Sequence, residues 1–291
     1  MTAAYGPHRL GIDIGGSSVK TALIAEDDAV IGVATSEAYR TADERAVERA
    51  IRSCAERLGL RPESDVCVGI AAPGVLNSSR TAIASAVNLP GLVGIDLPEL
   101  VRRSLPRARV NAVLPDAQAA AIGHWSERRE PGRLLAISLG TGVGAALLDD
   151  GIPVELTDGG PGHLGQIDVG PCAGDFEPIG PDGGRNGLEA YIGGPALRAR
   201  FGEQPLAAMA DLDENDPAMR AMVRAIRVCH ALYCPDEIAL LGGVGLALSP
   251  ALGAVERLVR ENLTAVARPG WRLSVGSGSE LAARGAAIHG N

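Results

Sequence analysis

The run Leu10-Gly-Ile-Asp-Ile-Gly-Gly-Ser-Ser-Val-Lys-Thr-Ala-Leu-Ile-Ala-Glu-Asp27 reads as strand, small-residue turn, strand and acidic turn. The same layout returns at Ala136-Ile-Ser-Leu-Gly-Thr-Gly-Val-Gly-Ala-Ala-Leu-Leu-Asp-Asp-Gly151. A third β-rich run follows each unit, Val30 to Thr35 and Ile152 to Leu156, so both predict a three-stranded meander. Helix and strand material comes after each meander. In the first half Thr41 is placed to cap a helix whose apolar residues Ala46, Val47, Ala50, Ile51, Ala55 and Leu58 recur at helical spacing and stop near Gly59. The buried run Val66-Cys-Val-Gly-Ile70 follows as a strand. In the second half a helix around Ala218 to Leu232 precedes the strand Glu237-Ile-Ala-Leu-Leu241. Two copies of one α/β unit facing each other predict a cleft between them. The expected division is residues 1–115 and 116–291, with the boundary open from Asp116 to Arg133 and the second sheet entered at Gly132 to Leu135 after the polar Glu127 to Gly132. The last helix, about residues 279–289, is able to return to the first half.

The turns carry the chemistry. In Asp13-Ile-Gly-Gly-Ser-Ser18 two glycines follow a strand and remove side chains, so backbone N–H groups can approach an anion, with two hydroxyls as further donors. Asp13 would face that anion, which is tolerable if a cation such as Mg²⁺ lies between. A tight hairpin is the plainer reading of one such turn. Gly140-Thr-Gly-Val-Gly144 repeats the layout, and Gly242-Gly-Val-Gly245 adds a third glycine turn against which a flat base could slide. None is a GxxxxGK[ST] loop. The strand-like residues after Gly144 also set the second turn apart from a dinucleotide fingerprint.

Composition excludes several classes. The 291 residues carry a net charge of −8 and contain no consecutive run of Lys or Arg that could line a phosphate backbone, so no nucleic-acid partner is expected. No apolar run approaches the roughly 20 residues of a membrane helix, and Met1 to Leu10 lacks the layout of a secretory signal, which predicts a cytoplasmic protein with no membrane partner. Cys54, Cys67, Cys172, Cys229 and Cys234 are scattered, never a close pair, and read as free thiols.

In this order the motifs resemble the ROK family of sugar kinases and related repressors, over nearly the whole chain. Asp13-Ile-Gly-Gly-Ser17 resembles the family's DxGGT, Gly69-Ile-Ala-Ala-Pro-Gly74 its GxxxPG and Asn88-Leu-Pro90 its NLP. Asp116-Ala-Gln-Ala-Ala-Ala-Ile-Gly123 resembles DxxAAAxGE, Leu139-Gly-Thr-Gly-Val-Gly144 LGTGIG, Leu188-Glu-Ala-Tyr191 CLEAY, and Leu241-Gly-Gly243 LGG. The resemblance implies an α/β, two-domain actin/hexokinase-like (ribonuclease H-like) fold with an interdomain cleft, and ATP-dependent phosphorylation of a sugar or sugar-like hydroxyl with Mg²⁺. It implies Asp116 as the general base, which would accept the hydroxyl proton as the phosphoryl group arrives. An N-cap role for Asp116, directly after Pro115, is compatible with that. Nucleotide and phosphate contacts are implied for Asp13, Gly15, Gly16, Ser17, Ser18, Lys20, Gly140, Thr141, Gly142, Gly242 and Gly243, with Asp13 also on the Mg²⁺. Substrate contacts are implied for Gly74, Asn88, His163, Gln166 and Glu189. A small-molecule sugar is the expected partner, and a homodimer is left open.

Departures from the family pattern bear on substrate. Pro115 stands where the family has an Asn that grips sugar hydroxyls, and proline has no side-chain hydrogen bond to offer. Gly162-His-Leu-Gly-Gln166 aligns with the family's GExGH if Ile167-Asp-Val169 continues as a strand, so that His163 replaces the sugar-binding Glu and Gln166 a zinc-ligating His. An alternative register puts His163 at the zinc ligand and Gly160 at the Glu. In either register no zinc is expected, because Cys172 stands alone where the family's CxCGxxGC supplies three thiolates. Plain glucose is therefore not the expected substrate. A non-catalytic sugar- or nucleotide-binding sensor is the alternative. With the first strand beginning by Leu10, no room is expected for the winged helix-turn-helix of ROK repressors. A donor such as polyphosphate is a third reading, since glycine turns recognise phosphate and not base.

Overall fold

Strand β1 (Arg9–Ile14) opens the chain and is followed by β2 (Val19–Ile24), β3 (Val30–Thr35), α1 (Glu44–Arg57), β4 (Val66–Ala72), β5 (Val75–Leu76) and β6 (Ile83–Ser85). Next come α2 (Leu97–Ser104), β7 (Ala108–Pro115), α3 (Asp116–Arg128), β8 (Arg133–Leu139), β9 (Val143–Asp149) and β10 (Ile152–Pro153). Helices α4 (Leu188–Ile192), α5 (Gly194–Phe201) and α6 (Pro217–Tyr233) lead to β11 (Glu237–Leu241), α7 (Gly242–Ala247), α8 (Leu252–Glu261), β12 (Arg272–Val275) and α9 (Leu281–His289). This computed structural model describes residues 8–87, 89–155, 162–172, 174, 177–181, 183–264 and 270–289.

Two five-stranded sheets share one topology. The first runs β3-β2-β1-β4-β7 and the second β10-β9-β8-β11-β12. In each, a three-stranded antiparallel meander continues into two parallel strands, β1 beside β4 and β8 beside β11. The echo between the two glycine-turn segments is thus a duplication of one sheet. Of the third runs, β3 spans Val30–Thr35 as expected, whereas β10 is only Ile152–Pro153 and Leu156 lies outside the described residues. Pro153 cannot donate to a ladder, which keeps this edge strand short.

The side-chain alternation of β1 sorts its residues between two layers. Leu10, Ile12 and Ile14 join the buried cluster with Val68 and Ile70 of β4, Val47 and Ile51 of α1 and Leu97, Leu100 and Val101 of α2. Gly11 and Asp13 lie on the other face, which α9 covers. Helix α1 is capped by Asp43, whose carboxylate accepts from the Ala46 amide at 2.7 Å, and not by Thr41 as the sequence suggested. A carboxylate at this position also favours the positive end of the helix dipole. Helix α1 ends before Gly59, whose φ of +75° is the left-handed conformation common just past a helix. In the second sheet Leu135, Ile137 and Leu139 pack with Met219, Met222 and Ile226 of α6, Val255 and Val259 of α8, and Trp271.

Two units emerge from the packing. One holds residues up to 128 and from 280 on; the other holds 129–279. The division falls after Arg128, inside the expected stretch Asp116 to Arg133 but not between Pro115 and Asp116, because α3 packs on α9, β4 and β7 of the first unit. That packing is unusually close. A Cβ on Gly11 or Gly69 would overlap the carbonyl oxygen of Ala283 or Ala286 in α9, and a Cβ on Gly285 would overlap that of Ala119 in α3. Among the described residues no helix is long and apolar enough to cross a membrane.

Candidate active site

In the first unit, β1 delivers Asp13 to its C-terminal end, opposite Lys20 on β2. The turn at residues 15–18 closes through the Gly15 amide donating to the Ser18 carbonyl at 3.0 Å. Gly15 is needed because a Cβ there would sit 2.9 Å from that same oxygen. Gly16 and Ser17 are exposed and Ser18 half-buried. Helix α3 begins at Asp116, directly after the strand-ending Pro115, and the Ala117 amide donates to Asp116 Oδ1 at 2.7 Å.

Burial pushes the Asp13 carboxyl up to about 7, Lys20 opposes the rise and Asp116 adds to it. Burial likewise pushes Asp116 up to about 6, against the hydrogen bonds from its own and the Ala117 amide. A carboxyl at Asp13 whose charge Asp116 disfavours, next to the turn with exposed Gly16 and Ser17, is suited to a hard cation and an anion together. Among the described residues no group of three or more His, Cys, Asp or Glu could hold a metal. A Mg²⁺ held by one or two carboxylates and completed by phosphate oxygens needs no such group. Tyr39, which sequence reading passed over, donates its hydroxyl to the Gly15 carbonyl at 2.5 Å. Its hydroxyl is pushed up to about 12 by burial and by Asp13, so it stays a donor.

Gly74 follows β4 with φ +87°, and a Cβ there would lie 2.8 Å from the Ala86 Cβ and overlap the Ser85 carbonyl. This glycine is demanded by the β5/β6 hairpin. Asn88 lies outside the described residues.

In the second unit three segments meet. The turn between β8 and β9 closes through the Gly140 amide on the Gly142 carbonyl at 3.0 Å and leaves Thr141 exposed. The Gly194 amide, at the start of α5, lies 2.9 Å from the Gly140 carbonyl and 3.1 Å from that of Thr141. Gly242 starts α7 with φ +79°, where a Cβ would overlap the Leu139 carbonyl, and Gly243 is exposed beside it. The Gly242 turn is therefore the entry to a short helix. Glu189 on α4 is half-buried, and its Oε2 accepts from the Val143 amide at 2.7 Å, so this carboxylate also ties α4 to the β8–β9 turn.

His163 precedes a 3₁₀ turn, Leu164–Gln166, that Gln166 closes, and both are exposed. Gly165 between them is buried so closely that a Cβ would lie 2.8 Å from the Val143 carbonyl and 3.1 Å from Glu189 Oε2. His163, Gln166 and Glu189 thus come to one region. The expected strand at residues 167–169 is only a single bridge, Asp168 to Gly187, because the partner stretch turns into α4 at Leu188. The segment around Cys172 is held by side chains that the sequence did not point to. Tyr191 Oη accepts from the Cys172 amide at 3.1 Å, and Arg224 donates to the carbonyls of Val169 at 2.7 Å and Pro171 at 3.0 Å.

Duplicated sheets of this topology, each with a glycine turn between its first two strands, define the actin/hexokinase-like class. The ROK family profile matches residues 9–288, and the chain belongs to the ROK family. It is 27% identical over 263 residues to kanosamine kinase of Amycolatopsis mediterranei, covering 81% of this chain and 80% of that one. To N-acetylmannosamine kinase of Yersinia pestis it is 26% identical over 278 residues, covering 88% of each. Its fold is similar to that of a ROK family glucokinase from Streptomyces griseus solved in complex with glucose and AMPPNP. That likeness has a TM-score of 0.76 at 20% identity, over 97% of this chain and 98% of that chain.

Proposed function

We propose that this protein is an ATP-dependent carbohydrate kinase acting on a hydroxyl of a sugar or sugar-like molecule other than plain glucose. The observation that carries this reading is the pair Asp13 and Asp116, set at a strand end and a helix start, with Asp13 next to the turn in which Gly16 and Ser17 are exposed. Asp116 accepts the proton of the attacking hydroxyl as the γ-phosphoryl group is transferred, the role in which a carboxylate near neutral pKa works best. Asp13 would hold the Mg²⁺ that accompanies the nucleotide and, when bound, neutralises phosphate charge. The glycine turns at residues 15–18 and 140–142, with Lys20, receive phosphates, and Gly242 and Gly243 receive the base. His163, Gln166, Glu189, Asn88 and Gly74 serve the sugar. The family and its two amino-sugar kinases above support this assignment. So does Pro115, which removes one side-chain partner that a glucose hydroxyl would need.

The test is an ADP-release screen over hexoses, amino sugars, anhydro sugars and cyclitols, with Asp116→Asn as the blank. A sugar other than glucose is expected to give the highest kcat/KM. The lost partners at positions 115 and 163 should cost glucose roughly 30-fold or more, at about 1–3 kcal/mol each. Glucose outranking all others would refute the specificity. No release above the blank with any acceptor, despite nucleotide binding, would instead favour a non-catalytic sensor, and sugar phosphate formed only when polyphosphate replaces ATP, with the chain shortened by one unit, a polyphosphate donor. The working protein is further proposed to be cytoplasmic, to bind no nucleic acid and to need no zinc, with Tyr191 and Arg224 holding the segment around Cys172; one tightly bound zinc per chain would overturn the last point.

A further inference from the structure

The stretch after β3, residues 36–39, runs beside the turn at residues 15–18 and is bonded to that hairpin at four points. The Ser36 amide donates to the Val19 carbonyl at 2.9 Å, and the Val19 amide donates to Ser36 Oγ at 3.0 Å. Tyr39 makes the other two. Its amide donates to the Ser17 carbonyl at 2.9 Å and its hydroxyl to the Gly15 carbonyl at 2.5 Å.

The last two bonds decide where the turn's donors point. In a planar trans peptide the N–H of each residue points opposite to the carbonyl that precedes it. Drawing the carbonyls of Gly15 and Ser17 onto Tyr39 therefore aims the N–H groups of Gly16 and Ser18 to the opposite side. Among the described residues neither amide has an acceptor, and Gly16 and Ser17 are exposed. With the Gly15, Ser17 and Ser18 carbonyls engaged within the hairpin and by Tyr39, the Gly16 and Ser18 amides are turned outward as donors, the polarity a phosphate group requires.

We infer that Tyr39 is the positioning residue of this cradle, holding two carbonyls back so that the Gly16 and Ser18 amides meet the phosphate chain of the donor. This rests on the kinase reading above and adds to it the residue that sets the cradle's polarity. It acts through the turn and touches neither sugar nor base.

The experiment is calorimetric titration of ATP with Mg²⁺, and separately of inorganic tripolyphosphate, into the full-length wild type and Tyr39→Phe. Losing one hydroxyl bond while keeping the ring and the Tyr39 amide bond should weaken both ligands by about 5- to 10-fold. The factor should be the same for both, because the cradle reads phosphate and not base. In turnover the KM for ATP should rise by a similar factor while the KM for sugar stays within about twofold, a split that a purely structural role would not produce. Wild-type affinity in the Phe variant overturns the inference, as does a loss confined to ATP. If the wild type itself binds neither ligand, the kinase reading fails and takes the inference with it. A measurement on the wild type alone is independent of how the variant folds: tripolyphosphate should shift the Gly16 and Ser18 amide resonances, and unmoved resonances would overturn the assignment.

Discussion

Asp116→Asn is expected to remove turnover by roughly two to four orders of magnitude while raising the melting temperature at neutral pH. The first effect follows from losing the base with no change in side-chain volume. The second follows from the sign of the proton linkage. Burial lifts the folded carboxyl to about 6 from its ordinary 3.8, so between those values the folded chain binds more protons than the unfolded one. Stability then falls as pH rises through that window, and above about 6 the cost of charging this half-buried carboxylate is fully present. Asn carries no such charge, and its Oδ1 can still accept from the Ala117 amide. Melting curves should therefore show Asp116→Asn above wild type at pH 7.5 and level with it near pH 4. Wild-type kcat/KM should climb with pH through about 6 as the base loses its proton. Retained turnover, or a lower melting temperature at pH 7.5, would remove Asp116 from this role.

Local patterns made much of the fold legible. Strands β3 and β11 end where their apolar runs end, and α6 is one residue longer at each end than its periodic core because Pro217 starts it and Cys234 stops it in a left-handed conformation. The two glycine turns showed the duplication. What stayed hidden depends on partners distant in the chain. The division after Arg128 follows from α3 packing on α9, some 160 residues later, and neither helix has a pattern that names the other. Tyr39 sits in a loop without periodicity, 24 residues from the carbonyl it binds. Glu189 was readable as a polar residue on a helix, but its bond to the Val143 amide was not. The cap at Asp43 in place of Thr41 is a local misreading, since both residue types cap helices and only backbone geometry separates them.

The largest structural effect should come from adding one methyl group between α9 and its neighbours. Gly285→Ala and Gly11→Ala are each expected to destabilise the chain by roughly 4–5 kcal/mol or more, a large share of ordinary domain stability. The reason is that the obstructing atoms are backbone. A Cβ on Gly285 would overlap the Ala119 carbonyl and stand 2.6 Å from the Gly123 amide; one on Gly11 would overlap the Ala283 carbonyl and stand 2.9 Å from the Ala287 amide. A side chain could rotate away, but relieving these contacts requires shifting a whole helix. That helix is braced on both sides, by Gly11 and Gly69 of the sheet and by Ala119 and Gly123 of α3. Gly253→Ala in the first turn of α8 is the control, since nothing lies within 4 Å of a Cβ there and a helical glycine gains at most about 1 kcal/mol on becoming alanine. Soluble yield and thermal unfolding of the three variants should separate them cleanly. Any Gly285→Ala or Gly11→Ala protein that stays folded should also lose kcat, because β1 carries Asp13 and α3 carries Asp116, and displacing α9 moves both supports. A melting temperature within a few degrees of wild type for either variant would show that the sheet and α3 tolerate a wider gap, and that α9 does not set the spacing of the two carboxylates.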